Sequence, residues 1–397
     1  MVINTRKYFM MTVFVFIVLL PSFLRSFAEV KSMTLGIICI TVLLFFIRLI
    51  DNREFKIQKK QLSIILSIAI LLLCNGLYAC LKFPQFNFER FISFLVIFLA
   101  FYLASCIFAN YVWNMSQKHF VGTIKLLFSI LLIDCLFVII SFGILGGNKK
   151  PLLFTEVSHL SLAMLPFIFY FSYMYRLNGR YLLLNLSPIV FLAMVNSLTL
   201  LAGYVMVFVF TLKMRQKIII SFLVFIIVLI MDTDISYYFD RLNFMADYTN
   251  LSLNVFLSGW ERAYLNFIDT NGIGIGFQQL GYLGAEGYYQ GLLNMYGWST
   301  LNIYDGGSTA PKLISELGII GVLFISFYIW GALKCYKFSK LLTLETNPKF
   351  IFYISCYITF FIELFVRGYG YLSIGVLLFI LAVTNTNFLS NTSKVAF

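Results

Sequence analysis

Thr155-Glu156-Val157-Ser158-His159 sets a carboxylate and an imidazole three residues apart. On a helix that spacing puts both on one face. There they could pass a proton between them or take one from a hydroxyl group. The same spacing also suits a helix start with a hydrogen-bonded histidine. Nothing nearby in sequence pairs with either group, which favours them as the proton-handling candidates. Two further pairs stand four residues apart, Lys312 with Glu316 and Glu363 with Arg367. That is the spacing of helical ion pairs, so each pair either closes on itself or lines a polar cavity. Arg367 runs into Gly368-Tyr369-Gly370-Tyr371. A guanidinium is a permanently charged planar fork suited to phosphate, and glycines let another group come close. Arg367 is therefore the leading candidate for holding an anionic ligand.

Arg262 is the second such candidate, in Gly259-Trp260-Glu261-Arg262-Ala263-Tyr264, with a salt bridge to Glu261 or Asp269 as the alternative. Trp260 and Tyr369 offer ring faces for a sugar. Asp305 opens Asp305-Gly306-Gly307-Ser308-Thr309-Ala310-Pro311-Lys312, which leads into a helix. Pro311 fits a first turn and Ser308 or Thr309 a cap, so the helix N-terminus could face an anion. A plain cap is the alternative. Asp305, on its glycine turn, could bind sugar hydroxyls or serve as a base.

Other chemistries are excluded. Asn271-Gly272-Ile273-Gly274-Ile275-Gly276 lacks dinucleotide spacing and the Lys-Ser/Thr of a phosphate loop, so a tight backbone turn packed on another segment is expected. The seven cysteines lie in or beside apolar runs and form no CxxC, which argues against disulfides and zinc. No metal or nucleotide cofactor is expected.

The elements that must position these residues follow from composition. The chain of 397 residues is 61% hydrophobic and 12% charged. Apolar runs long enough to cross a bilayer recur from end to end. The reading is an all-α polytopic membrane protein of about twelve transmembrane helices, near 8–27, 33–50, 62–80, 91–113, 120–143, 158–175, 181–195, 198–212, 218–231, 311–333, 350–366 and 371–389. The run 181–212 is divided at Asn196-Ser197 because about 30 residues exceed one span. Alternate loops then hold 18 basic residues against 10. By the positive-inside rule both termini face the cytoplasm. The charge of +12 is therefore a topology signal and not a nucleic-acid signal. Asp134 lies in mid-span, where it could pair with Lys125 or another polar group of the bundle, or line the cavity.

One membrane domain results, with helices in 1–231 and 311–397 and one large outward loop, 232–310. The loop carries eight acids (Asp232, Asp234, Asp240, Asp247, Glu261, Asp269, Glu286, Asp305) against two bases, Arg241 and Arg262. It is rich in tyrosine, tryptophan and glycine, as a folded sugar-facing surface would be. Short helices are expected around Trp260–Asp269 and Tyr288–Tyr296.

The architecture, with the Arg262 segment, Gly272 to Gly276, Asp305-Gly306-Gly307-Ser308, Glu316-Leu317-Gly318-Ile319-Ile320-Gly321, the Arg367 to Tyr371 segment and the Thr155 to His159 segment, resembles the Wzy-type O-antigen and capsular polysaccharide polymerases of bacteria. The resemblance implies a multi-pass protein of the bacterial inner membrane with a GT-C-like or polymerase–ligase fold and a periplasmic loop. It implies a metal- and nucleotide-independent glycosyltransferase that joins undecaprenyl-pyrophosphate-linked oligosaccharide units. It implies the lipid bilayer and a chain-length regulator in the membrane as partners, and no nucleic acid. An O-antigen ligase or a lipid-linked oligosaccharide flippase is the alternative. The sparse arginines of the loop depart from the family pattern and shift charge neutralisation toward Arg367, Lys312, Lys149 and Lys150.

Overall fold

A computed structural model describes residues 5–28, 33–50, 59–230, 237–238 and 250–385. Asp232, Asp234, Asp240, Arg241 and Asp247, and the basic residues Lys31, Arg53, Lys56 and Lys394, lie outside the described residues. The described chain is helical: α1 (Thr5–Phe27), α2 (Thr34–Ile50), α3 (Lys59–Lys82), α4 (Phe88–Asn114), α5 (Gln117–Val138), α6 (Val157–Leu177), α7 (Leu182–Val195), α8 (Leu198–Phe210), α9 (Met214–Ile230), α10 (Leu251–Asp269), α11 (Gly287–Met295), α12 (Thr309–Leu317), α13 (Ile319–Ser339), α14 (Pro348–Phe365) and α15 (Ile374–Asn385). Among the described residues seven stretches are long and apolar enough to cross a membrane: Tyr8–Phe27, Lys59–Lys82, Phe88–Asn114, Gln117–Phe142, Val157–Leu177, Ile319–Ser339 and Pro348–Phe365. Four shorter apolar stretches accompany them. The protein is a helical membrane protein by these lengths and compositions.

The chain breaks at Asn196, whose φ of 51° stops α7. Ser197 then caps α8 by accepting from Leu200 N, and its hydroxyl meets Ser161 on α6 at 2.9 Å. At 1.5 Å per residue the 14 residues of α7 and the 13 of α8 each rise about 20 Å, less than the ~30 Å hydrocarbon core. They form a short hairpin against α6.

Helices α6 and α14 form the centre. Both are buried on nearly every face, as a helix must be when it is apolar all round and wrapped by others. Phe352 of α14 shows the packing, with ring centroids 5.6 Å from Phe120 and Phe167, 6.1 Å from Tyr170 and 6.4 Å from Phe14. At one end the bundle is tied by Arg176 donating to Ser339 O and by Lys349 donating to Trp113 O and Met115 O. At the other end, the loop end, sit the start of α6 and the finish of α14.

Asp134 gains its explanation here. After α5 the helix continues as a π-helical turn, Ile139–Ile144. The chain then bends back so that Leu152 N and Leu153 N donate to the Asp134 carboxylate, at 2.6 Å and 3.2 Å. A mid-span acid thus satisfies backbone that no helix serves, which a low-dielectric interior demands. We expect Asp134→Ala to lower the thermal stability of the detergent-purified protein by about 1–3 kcal/mol for each stranded N–H. A melting curve checks this, and the loss should exceed that of Asp134→Asn, which keeps an acceptor oxygen.

Candidate functional site

Two polar clusters form at the loop end. In the first, Arg367 Nη2 donates to Glu156 Oε2 at 3.1 Å, joining residues 211 apart in sequence. The same carboxylate oxygen lies 3.7 Å from His159 Nε2, and His159 Nδ1 meets the Thr155 hydroxyl at 2.8 Å. Tyr369 covers the imidazole with ring centroids 4.1 Å apart. The Arg25 guanidinium, from the end of α1, lies 5.8 Å from the Tyr369 ring. His159 is buried, whereas the Glu156 side chain is 52% exposed and Arg367 25%. Among the described residues the Nε and Nη1 groups of Arg367 have no protein acceptor, which leaves part of the fork for a ligand.

The second cluster belongs to α12. Lys312 is buried; its ammonium donates to Tyr304 O at 2.7 Å and lies 3.6 Å from Asp305 Oδ1. Glu316, fully buried, accepts from Gln278 N at 2.9 Å and Leu280 N at 3.1 Å. Burial raises the Glu316 pKa, and Lys312, Tyr371 and these two N–H groups oppose the rise. Burial, then the Glu316 charge, push the Tyr371 phenol well above its ordinary value, so it stays neutral. Its hydroxyl faces Glu316 without closing a well-aligned hydrogen bond.

The clusters meet at Gly368. Its N–H donates to Gly307 O at 3.3 Å, and a Cβ there would run into Thr309 Oγ1 and the Glu363 carbonyl. Around this junction five buried polar atoms have no well-aligned hydrogen-bond partner among the described residues: Ser308 Oγ, Thr309 Oγ1, Glu363 Oε1, Tyr369 Oη and Tyr371 Oη. Buried polar groups are nearly always hydrogen-bonded, so this concentration is unusual and makes the junction the candidate site. A cavity of about 400 Å³ is lined by Ser26, Phe27, Phe137, Asn148, Lys150 and Leu152 among others, none of them a residue of either cluster. Ser26 adjoins Arg25, and its hydroxyl donates to Leu152 O at 3.3 Å.

Several expectations are corrected. Glu156 is not unpartnered, because the fold brings Arg367 onto it. Neither pair at i,i+4 closes: Lys312 turns to Asp305 and Tyr304, Arg367 to Glu156, and Glu363 lies buried against Gly375. Arg262 is buried, and it donates from Nη1 to Ile303 O at 2.9 Å and from Nε to Ala285 O at 3.4 Å. Burial pulls its pKa down, and Glu286 and Glu316 partly restore it. Arg262 is thus an internal tie of the loop. Trp260 is half-buried with one face stacked on Phe365, at 6.4 Å and 5°. Ser308 holds the cap position of α12, but its side chain makes no capping bond. As expected, Gly272 to Gly276 make a backbone turn: Ile275 N and Gly276 N donate to Ser315 O and Glu316 O, each at 3.0 Å.

Arg90 escaped the sequence reading. At the start of α4 it donates to Gln278 O at 3.0 Å, with its guanidinium 4.7 Å from the Phe94 ring and 4.8 Å from the Tyr282 ring. Gln278 itself sits at φ 60°, a costly conformation for a residue with a side chain, held by Arg90 and Glu316 together. The signal available was a basic residue on the loop side of the topology; nothing in its neighbours marked it further.

The chain matches no family model, no curated protein and no solved structure.

Removing the Glu316 acceptors strands two buried N–H groups. Glu316→Ala should cost about 1–3 kcal/mol for each, while Glu316→Gln, keeping one oxygen, should lose less. Chemical denaturation of the purified protein separates the two variants. Equal and negligible losses would dismiss Glu316 as the tie between loop and bundle.

Proposed function

We propose that the protein polymerises lipid-linked oligosaccharide repeat units. The hydroxyl of one unit attacks the anomeric carbon of the chain carried by undecaprenyl pyrophosphate. A new glycosidic bond forms, the bond from sugar to phosphate breaks, and the lipid pyrophosphate leaves. The observation that carries this reading is the junction at Gly368, where Arg367, Glu156, His159 and Tyr369 meet the start of α12 amid buried polar atoms that lack well-aligned hydrogen-bond partners among the described residues. The topology that goes with it has twelve apolar helices in the membrane, with α7 and α8 as a short hairpin that returns to the side it left, cytoplasmic termini and a periplasmic 232–310 loop, in the bacterial inner membrane.

Each side chain has a role in this scheme. Arg367 and Arg25 receive the pyrophosphate, with the Lys312 ammonium adding positive charge from behind Gly370. Fixed cations aimed at a leaving group stabilise charge as it develops, without reorganisation. His159, its Nδ1 on the Thr155 hydroxyl, accepts the acceptor proton at Nε2, and Glu156 beside it stabilises the imidazolium. Asp305, held by Lys312, is placed for sugar hydroxyls. Glu363 and Glu316 shape the site from behind. A chain-length regulator in the membrane would act on the same product.

Two experiments test this. With purified protein and lipid-linked repeat units, Arg367→Gln should slow polymerisation by about 10²–10³-fold, and Arg367→Lys should retain part of the rate because charge stays while the fork is lost. His159→Gln should cost about 10²–10⁴-fold. Near wild-type ladders from these variants would refute the assignment. In cells, deletion should leave surface glycan one repeat long, whereas unattached polymer would indicate a ligase and absence of surface glycan a flippase.

Topology is checked separately. A cysteine at exposed Asn294 should react with a membrane-impermeant reagent from the periplasm, and one at Lys337 should not. The reverse pattern would invert the orientation.

A further inference from the structure

We propose that the tip of α11 is a docking platform for the glycan part of the substrate, and that it accepts neutral or amino-sugar chains and rejects chains of acidic sugars. This rests on the reading of the site as one that acts on lipid-linked glycan.

The tip is rigid. Gly297 N donates to Asn294 O at 3.1 Å and Trp298 N to Leu293 O at 2.8 Å, closing the turn that follows α11. Gln290, buried beneath it, donates to Asn294 Oδ1 at 3.2 Å and Ser299 O at 3.0 Å and accepts from the Ser258 hydroxyl at 3.1 Å. Leu293 anchors the same turn in the interior. Yet Tyr288, Tyr296 and Trp298 stay 57%, 53% and 51% exposed. Rings held in place before binding cost little order on contact, and they present a flat apolar face with a polar edge. That form fits the carbon–hydrogen face and hydroxyl rim of a pyranose.

Charge sets the selectivity. Among the described residues between 250 and 317 the only basic side chains are Arg262 and Lys312, both buried and both committed to carbonyls. Glu316 is buried, but two acids flank the tip: Glu286 is exposed beside Asn294, with Oε2 accepting from Nδ2 at 3.4 Å, and Glu261 is half-buried, accepting from Tyr289 N at 2.9 Å. The free face of the platform is therefore negative, while Arg25, Arg90 and Arg367 lie at the helix ends. Such layering suits a substrate whose only anion is its phosphate head. Insertion of the tip into the membrane interface is the rival occupant, and Glu286, Asn294, Ser299 and Thr300, all exposed around the rings, oppose it.

The test uses the full chain in zwitterionic nanodiscs, titrated with a panel of neutral gluco- and chito-oligosaccharides and with polyuronate oligomers of equal length, followed by saturation-transfer NMR. At low salt the best neutral probe should bind roughly tenfold or more tightly than any uronate, and the gap should narrow as salt screens the acids. Trp298→Ala should abolish the neutral signal. Glu286→Lys, on the surface and outside the reacting cluster, should close the gap by admitting uronates. Equal or tighter uronate binding in the wild type, no neutral binding across the panel, or quenching of Trp298 fluorescence by brominated lipid would overturn the proposal. If the preference holds but lipid-linked units are not polymerised, the functional reading fails and the platform stands. If polymer forms with no such preference, the platform fails alone.

Discussion

Glu316 is the interaction on which the rest of the structure depends. It is fully buried, and each carboxylate oxygen takes one backbone N–H of the 278–280 segment. Its own carbonyl accepts from Gly276 N and from Asn75 Nδ2 of α3, while Asn75 Oδ1 takes Phe277 N. One residue of α12 thereby fastens the loop unit to the membrane helices. A buried carboxylate is tolerated only when its oxygens are satisfied, so the arrangement is held to one geometry.

From that anchor the loop unit builds inward. Arg262 ties α10 to the carbonyls of Ala285 and Ile303; Asn266 reaches Ser315 at 2.5 Å and takes Ala285 N at 2.8 Å. The interior of this unit is therefore polar and the interior of the bundle apolar. That contrast is what leaves the charged groups of the candidate site at the boundary between them. Helices α6 and α14 run through the apolar centre and keep their acidic and basic side chains at their ends: Arg176 and Lys349 at one, His159 and Glu363 at the other, where the adjoining Glu156 and Arg367 find each other.

Close backbone approach completes the junction. Gly368 brings the segment after α14 onto the start of α12, and Gly274, at φ 91°, lets the 271–276 turn lie against the Glu316 carbonyl. A side chain at either place would push apart the elements that meet there. The glycine-rich turn is thus a packing device, and the cost of its conformations is repaid in proximity of the two clusters.

The amino-acid sequence by itself determined the helical frame. Apolar run length placed most of the helices and the break at Asn196, because periodicity and burial in lipid are local demands; it missed the break at Gly318 that divides the expected 311–333 helix into α12 and α13, and the start of α10 at Leu251, well before Trp260. The same local reasoning failed on partners. Spacing of four residues allowed Lys312 to pair with Glu316 and Arg367 with Glu363, yet Lys312 turned to Asp305 at the head of its own segment, Arg367 to Glu156 from a distant one, and Arg262 inward to backbone carbonyls. Arg90 and Asp134 likewise acquired their roles from backbone more than fifteen residues away. A charged side chain in a low-dielectric interior takes whichever partner satisfies most of its hydrogen-bonding capacity. Which partner is within reach is set by how helices far apart in sequence pack, and only the tertiary structure decided that.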